Sequence, residues 1–266
     1  MVVIESVGAT VRVGDAVLLD RADFSVDAGR FAAILGPNGA GKSTLMKVLA
    51  GSLQPDPGNV RLCGRALRDW SRRDSSRLRA VLSQRTDLTF PFSVRDVVLL
   101  GRSPYAGQTG RNTDIAIAES TMEMCGIAHL AARIYPTLSG GEQQRVQLAR
   151  VLAQLHRSGA DFNDCSGQVL LLDEPTSSLD IAHQHAILEL ARDLTARGMA
   201  VAAVLHDLNL AAMFADSVHL MKEARIVEAG PPAEIIRPES VKSIFDIAVR
   251  LVPQAGNTPP FVVPAF

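Results

Sequence analysis

The chain has few cysteines, no excess of basic charge and no long apolar run, and each shortage excludes something. Cys63, Cys125 and Cys165 are the only cysteines among 266 residues. They are odd in number, far apart and in no C-x-x-C arrangement. That excludes a disulfide framework, makes a metal site improbable and fits free thiols in a reducing cytoplasm. Lys+Arg 27 against Asp+Glu 28 leaves a formal net charge of -1, so bulk charge gives no reason to expect a nucleic-acid partner. The apolar runs fall well short of the roughly 20 residues of a membrane span. The opening MVVIESVGATV lacks a positive segment followed by a long apolar core, so no secretory leader is expected. Internal repeats and heptad runs are also missing. With 47% hydrophobic residues, the chain can bury the core of one large α/β domain or two small ones.

What is present centres on Ile34–Thr44, ILGPNGAGKST. Gly36, four variable residues, then Gly41-Lys42-Ser43 give the G-x-x-x-x-G-K-[ST] spacing. Phe31 to Leu35 has the length and apolarity of a buried strand. Leu45, Val48 and Leu49 stand at helical spacing behind the loop. A triphosphate needs many backbone N–H donors close together, and side chains would hold it off. Gly36, Gly39 and Gly41, interleaved with Pro37, Asn38 and Ala40, meet that need. The helix N-terminus at Ser43-Thr44 adds partial positive charge. Lys42 can neutralise the β- and γ-phosphates, and the Ser43 hydroxyl can sit on Mg²⁺.

Before the loop, Met1–Val13 and Ala16–Val26 alternate apolar and polar residues around Gly14-Asp15, as antiparallel strands do. After it come a short strand at Asn59–Leu62, a polar segment at Leu67–Ser76 and a strand at Ala80–Ser83. Arg85 to about Gly159 changes to helical periods, with Thr113–Cys125 the best helix. Strands return at Val169–Leu172, Met199–Leu205 and Ser217–Met221, separated by helical Ala182–Arg197 and Leu208–Ala215. Alternating strands and helices imply a largely parallel sheet covered on both faces. A helical insert, roughly 85–160, therefore interrupts one α/β core. The tail from 253 to 266 is rich in proline and expected to be extended.

Two further stretches carry chemistry. Val169–Leu172 is followed by Asp173-Glu174-Pro175. An acidic residue ending a buried strand meets the ligand crevice of an open α/β sheet. Asp173 can hold Mg²⁺, and Glu174 can accept a proton from an attacking water. Without the phosphate loop the pair would read equally as a solvated turn. Ser139 and Glu142 have the S-x-x-E spacing of a capping box, opening a helix read as Gln143–Leu155. A cap does not need Gly140-Gly141. That pair clears side chains from a helix N-terminus where a second anion could dock. Two phosphate-binding helix ends beside one acidic strand suggest a composite site between two copies.

The phosphate loop, LSGGEQQR at Leu138–Arg145, LLLDEP at Leu170–Pro175 and His206 after a strand occur in this order. The set resembles the ATP-binding subunits of ABC transporters, over roughly residues 1–240. The resemblance implies a P-loop NTPase (RecA-like) α/β core with an antiparallel β subdomain and an inserted α-helical subdomain, spanning 1–252. It implies ATP and Mg²⁺ as cofactors. Ser43, Gln84 and Asp173 would serve the metal, Gln84 being the Q-loop. Ser139, Gly140 and Gly141 would serve the partner's nucleotide. Ser178, Leu179 and Asp180 would form the D-loop at the dimer contact. His206 would be the switch histidine and Glu174 the base. One departure stands out: an aromatic residue commonly stacks on adenine in this family, and Val13 occupies the matching position.

Ser83–Tyr105 resembles the iron-siderophore, cobalamin and haem importer ATPases, and Asp173–Leu188 resembles the haemin importers especially. The long stretch His156–Gly167 fits them too. This implies a homodimer on the cytoplasmic face of the cell membrane. It would be peripheral, bound to two permease subunits and served indirectly by a substrate-binding protein. The expected cargo is haem, with a ferric siderophore or cobalamin as the alternative. A non-transport clamp on nucleic acid or ribosomes is a further alternative. Such clamps usually have tandem domains or coiled-coil arms. His183 and His185 lie two apart on a helix and do not share a face, which argues against a haem-ligand pair. In Phe90-Pro91-Phe92, one ring is expected in the core and the other exposed as an anchor for the permease.

Overall fold

A computed structural model describes residues 1–83, 88, 90–157, 163–177, 179–254 and 259–265. Gln84 and Ser178 lie outside the described residues. In chain order the strands and helices are β1 (Val2–Val13), β2 (Ala16–Asp27), β3 (Phe31–Leu35), α1 (Lys42–Leu49), β4 (Asn59–Leu62), β5 (Arg65–Ala66), α2 (Arg72–Leu78) and β6 (Arg79–Leu82). The inserted helices are α3 (Val94–Leu99), α4 (Arg111–Met124) and α5 (Gly140–Leu155). The chain then returns through β7 (Val169–Asp173), α6 (Ile181–Ala196), β8 (Ala200–Val204), α7 (Leu208–Phe214), β9 (Ser217–Lys222) and β10 (Arg225–Gly230). It ends with α8 (Pro232–Ile235), α9 (Pro238–Phe245), β11 (Val249–Val252) and β12 (Phe261–Pro264).

The central sheet has the order β10-β9-β3-β8-β7-β6. It is parallel except for β10, which pairs antiparallel at the edge. The two central strands, β3 and β8, are apolar at every position because both faces are covered. Period two splits them between two cores. Phe31, Ala33 and Leu35 face the core that contains the inserted helices, while Ala32 and Ile34 face α1 and the other sheet. β7 and β8 divide the same way, Leu170 and Leu172 against Val169 and Leu171, and Val201 and Ala203 against Ala200 and Val204. The second sheet, β2-β1-β4-β5, is antiparallel and lies over the α1 face.

Three details differ from expectation. The helix read from Gln143 starts at Gly140, because Ser139 takes the N-cap and both glycines join the first turn. Neither phenyl ring of Phe90-Pro91-Phe92 is buried. Phe90 is 68% exposed and Phe92 39%, and the two rings pack on each other with centroids 6.1 Å apart. The extended tail gains a partner, since β12 pairs antiparallel with β11. That hairpin is fastened to α7 by one side chain: Asn209 donates to the Val262 carbonyl at 3.2 Å and accepts from the Val262 N–H at 2.7 Å.

One buried histidine makes stability depend on pH. His219 on β9 is 7% exposed, packs at a tilt against Phe24 with centroids 4.6 Å apart, and has no hydrogen-bond partner on either ring nitrogen. Burial lowers its pKa from 6.5 to about 4. Below pH 6.5 the unfolded chain takes up a proton that the folded chain refuses, so stability falls with falling pH down to about 4. The loss at pH 5 relative to pH 7.5 is about 2 kcal/mol. Urea unfolding at the two pH values checks this: His219→Leu should remove that share of the pH dependence, and an unchanged slope would refute it.

Candidate active site

The phosphate loop, Asp173, Glu174 and His206 stand at or just past the ends of sheet strands that the apolar core fixes. The phosphate loop leaves β3, turns through Gly36–Gly41 and enters α1. Two of its glycines are dictated by close approach. A Cβ on Gly36 would lie 2.3 Å from the Met221 carbonyl oxygen, and one on Gly41 would lie 2.8 Å from that of Leu18. Gly41 also has φ 97°, which disfavours a side chain. The Leu18 contact seats the β1–β2 hairpin against the loop. Lys42 is 5% exposed, and its ammonium donates to the carbonyls of Gly36 at 2.8 Å and Pro37 at 2.9 Å. An ammonium has three donors, so one remains for a phosphate. Burial lowers the Lys42 pKa, while the Glu174 and Asp173 charges oppose that shift.

Asp173 ends β7, beside this lysine. Burial first, then the adjoining Glu174 charge, raise its pKa, with Lys47, Lys42 and His206 acting in the opposite direction. Its Oδ1 is buried without a hydrogen-bond partner. Glu174 follows in the left-handed region, φ 53°, which is uncommon outside glycine and of the kind stored at functional sites. That turn aims its side chain at His206: Oε1 lies 2.9 Å from the histidine Nε2. His206 follows β8 and precedes Asp207, which caps α7 by accepting from the N–H groups of Asn209 at 2.7 Å and Leu210 at 3.3 Å. Lys42, Asp173, Glu174 and His206 therefore converge from three neighbouring strands.

The Ser139 segment forms a separate cluster. The Ser139 hydroxyl accepts from the Glu142 N–H at 3.3 Å, and the Glu142 carboxylate accepts from the Ser139 N–H at 2.8 Å. The Ser139 N–H and then its hydroxyl, which also donates to that carboxylate at 2.9 Å, hold the Glu142 pKa below its usual value. A Cβ on Gly140 would meet nothing within 4 Å, so the helix end is open there. A Cβ on Gly141 would lie 3.3 Å from the Leu179 side chain, which places Leu179 against the α5 N-terminus. Asp180 caps α6 through the His183 N–H at 2.9 Å. Gln144 ties α5 to the acidic turn by donating to the Pro175 carbonyl at 2.6 Å. Among the described residues, no hydrogen bond joins Ser139–Gly141 to the phosphate loop. Sequence reasoning missed Lys47, whose charge acts on Asp173, and Asp207, whose place before a helix was a legible N-cap signal.

A parallel sheet carrying a phosphate loop, an acidic strand end and a histidine beside it defines a P-loop nucleoside triphosphatase. The chain belongs to the ABC transporter family: residues 19–177 match the family model described as ABC transporter. It is 45% identical to the hemin import ATP-binding protein HmuV of Gloeobacter violaceus, over 98% of this chain and 94% of that protein. The protein of the same name from Deinococcus radiodurans is 46% identical, over 93% of this chain and 92% of the other. Among solved structures, an inward-facing ABC transporter of the metal-chelate type superposes with TM-score 0.81 at 24% identity, covering 100% of this chain and 98% of that one. The ADP conformation of an ATP-binding cassette superposes with TM-score 0.77 at 22% identity, over 92% and 99%.

Proposed function

We propose that this chain works as a homodimer with two permease subunits on the cytoplasmic side of the cell membrane, hydrolysing ATP to drive the import of haem. The observation that carries the reading is the convergence of Lys42, Asp173, Glu174 and His206 in a chain similar along nearly its whole length to hemin import ATP-binding proteins. No helix among the described residues is long and apolar enough to cross a membrane, so the permeation path belongs to partner subunits. Phe90 and Phe92, exposed at the edge of the helical insert, offer those partners an apolar anchor.

Gly36–Thr44 hold the phosphates through backbone N–H groups and Lys42. The residues present fit a divalent cation. Asp173 carries a buried oxygen without a partner and a pKa raised by burial, and a cation would relieve both. Ser43 and Asp173 would hold it, with Gln84, and bound Mg²⁺ would neutralise charge on the β- and γ-phosphates. Glu174 takes the proton from the attacking water, and His206 holds that carboxylate in place and faces the γ-phosphate. Ser139, Gly140 and Gly141 of one copy cover the nucleotide of the other, with Ser178, Leu179 and Asp180 at the contact between copies. ATP closes this dimer and hydrolysis reopens it, which moves the permease.

Base recognition differs from the family's habit. Val13 is 62% exposed at the end of β1, and Val17 and Leu18 opposite are 37% and 38% exposed. This apolar hairpin tip lies beside Gly41, where it can contact adenine without stacking on it. Val13→Tyr supplies a ring, and base stacking is worth about 1–3 kcal/mol. ATP should bind roughly tenfold tighter, with a stronger preference over pyrimidine triphosphates. Equal affinities by titration calorimetry would place the base elsewhere.

The cargo is tested by reconstitution with the cognate permease and a haem-loaded binding protein. Haem should stimulate ATP hydrolysis and accumulate in the vesicles. Stimulation by a ferric siderophore or cobalamin, with none by haem, would overturn the cargo and keep the importer.

A further inference from the structure

A second concavity lies at the far end of α1, one helix length of about 12 Å from the phosphate loop. It opens between the turn after α1, the loop before β4, and the segment from β5 to α2. Its volume is about 340 Å³, the size of a small-molecule site. Val48, Leu53, Leu67 and Trp70 give the wall an apolar part, and Gln54, Asn59, Ser75 and three arginines make the rest polar. The indole is fixed in place: its N–H donates to the Leu62 carbonyl at 3.3 Å, and Arg65 lies over the ring at 5.1 Å.

Arg79, the first residue of β6, lies against the end of α1. A Cβ on Gly51 would come within 3.3 Å of Arg79 Nη1 and 2.9 Å of the Leu67 side chain, so glycine is what admits the guanidinium there. Arg79 Nη1 is buried with no hydrogen-bond partner, and no carboxylate among the described residues pairs with this arginine. Burial alone lowers its pKa, to about 10. Arg79 is half-buried, and leaving its buried Nη1 without an acceptor is costly, so a group bound against it would recover that cost. Arg68 and Arg72 line the same cavity and are exposed at its mouth. Arg68 is only loosely engaged, 3.9 Å from Asp69. No Asp or Glu is among the described residues that line the cavity. With three arginines in the lining and only Asp69 beside one of them, the charge at this cavity is net positive.

We propose that this cavity is a binding site for a small organic anion, separate from the nucleotide site. The anion's phosphate or carboxylate head would pair with Arg79, Arg68 and Arg72, and its apolar body would lie against Leu53, Leu67 and Trp70. Planar guanidinium groups suit either head, because both accept two parallel N–H bonds. The apolar part of the wall favours an anion with an organic body over a bare inorganic ion.

Titration calorimetry of the full chain with phenyl phosphate and with benzoate tests the site. The Lys42→Ala chain serves as background, so that the phosphate loop does not contribute. At least one probe should bind saturably there, and binding should fall about tenfold or more in Arg79→Gln. If Arg79→Gln does not fold, the exposed double variant Arg68→Glu, Arg72→Glu should show the same loss. Saturating ATP should leave the binding of the probe to the chain with an intact Lys42 unchanged. The proposal fails if binding vanishes in Lys42→Ala or is displaced by ATP, since the probe would then be in the phosphate loop. It also fails if the arginine variants bind as well as the parent, or if neither probe binds saturably below about 10 mM.

Discussion

Glu174→Gln should bind ATP as tightly as the parent chain and hydrolyse it about 10²-fold more slowly, or slower still. The substitution keeps the size of the side chain and an acceptor oxygen for His206, which lies 2.9 Å away. It removes only the capacity to take a proton. Backbone strain at φ 53° is the same for both residues, so stability should change little. The proposed phosphate-binding residues, Gly36–Ser43, are left intact. With closure unimpaired and reopening delayed, the ATP-bound dimer should persist long enough to isolate by gel filtration. Glu174→Ala would be a poorer test, because it leaves His206 without this partner and mixes positioning with proton transfer. Steady-state turnover and the lifetime of the dimer are the two measurements. Near-parental hydrolysis by Glu174→Gln would move the base to another residue, and His206 would be the first to examine.

The parts of this site that sequence made legible are those written in local pattern. A strand, a glycine loop and a helix must be consecutive to bind a phosphate, so Phe31–Leu49 is readable as one unit. The Ser139–Glu142 cap is readable because its two hydrogen bonds span three residues. Contacts made across the chain left no such trace. Glu174 and His206 are 32 residues apart, and only the parallel pairing of β7 with β8 brings their strand ends together. The β11–β12 hairpin was hidden by Pro253, Pro259 and Pro260, which read as an extended tail. Its anchor to Asn209 spans 53 positions. The Phe90 and Phe92 rings reverse the usual rule because the loop that carries them lies outside both cores. The cavity around Arg79 had no signal at all, since it joins turns and helix ends from separate parts of the chain.

Mixing two inactive variants should restore activity. Ser139→Arg places a long cation where the open α5 N-terminus would meet the partner's γ-phosphate, and it removes a cap worth about 1 kcal/mol. Its own phosphate loop is untouched, so it should still bind ATP. Lys42→Ala loses the buried ammonium and should fail at its own loop while its Ser139 segment stays intact. Each homodimer then has two defective sites. In a heterodimer, the loop of the Ser139→Arg chain faces the intact Ser139–Gly141 of the Lys42→Ala chain, so one site is complete. The opposite site combines both defects. With random pairing at equal amounts, half the dimers are mixed and each carries one of two sites, which predicts roughly a quarter of parental turnover if the sites act independently. The arrangement within one chain supports this model, since no hydrogen bond among the described residues joins Ser139–Gly141 to the chain's own phosphate loop. The mixture should also regain activity in proportion to the mixed dimer isolated with two affinity tags. Full activity of a monomer at concentrations below dimerisation, or a mixture no more active than its components, would show that the Ser139 segment does not complete a partner's site.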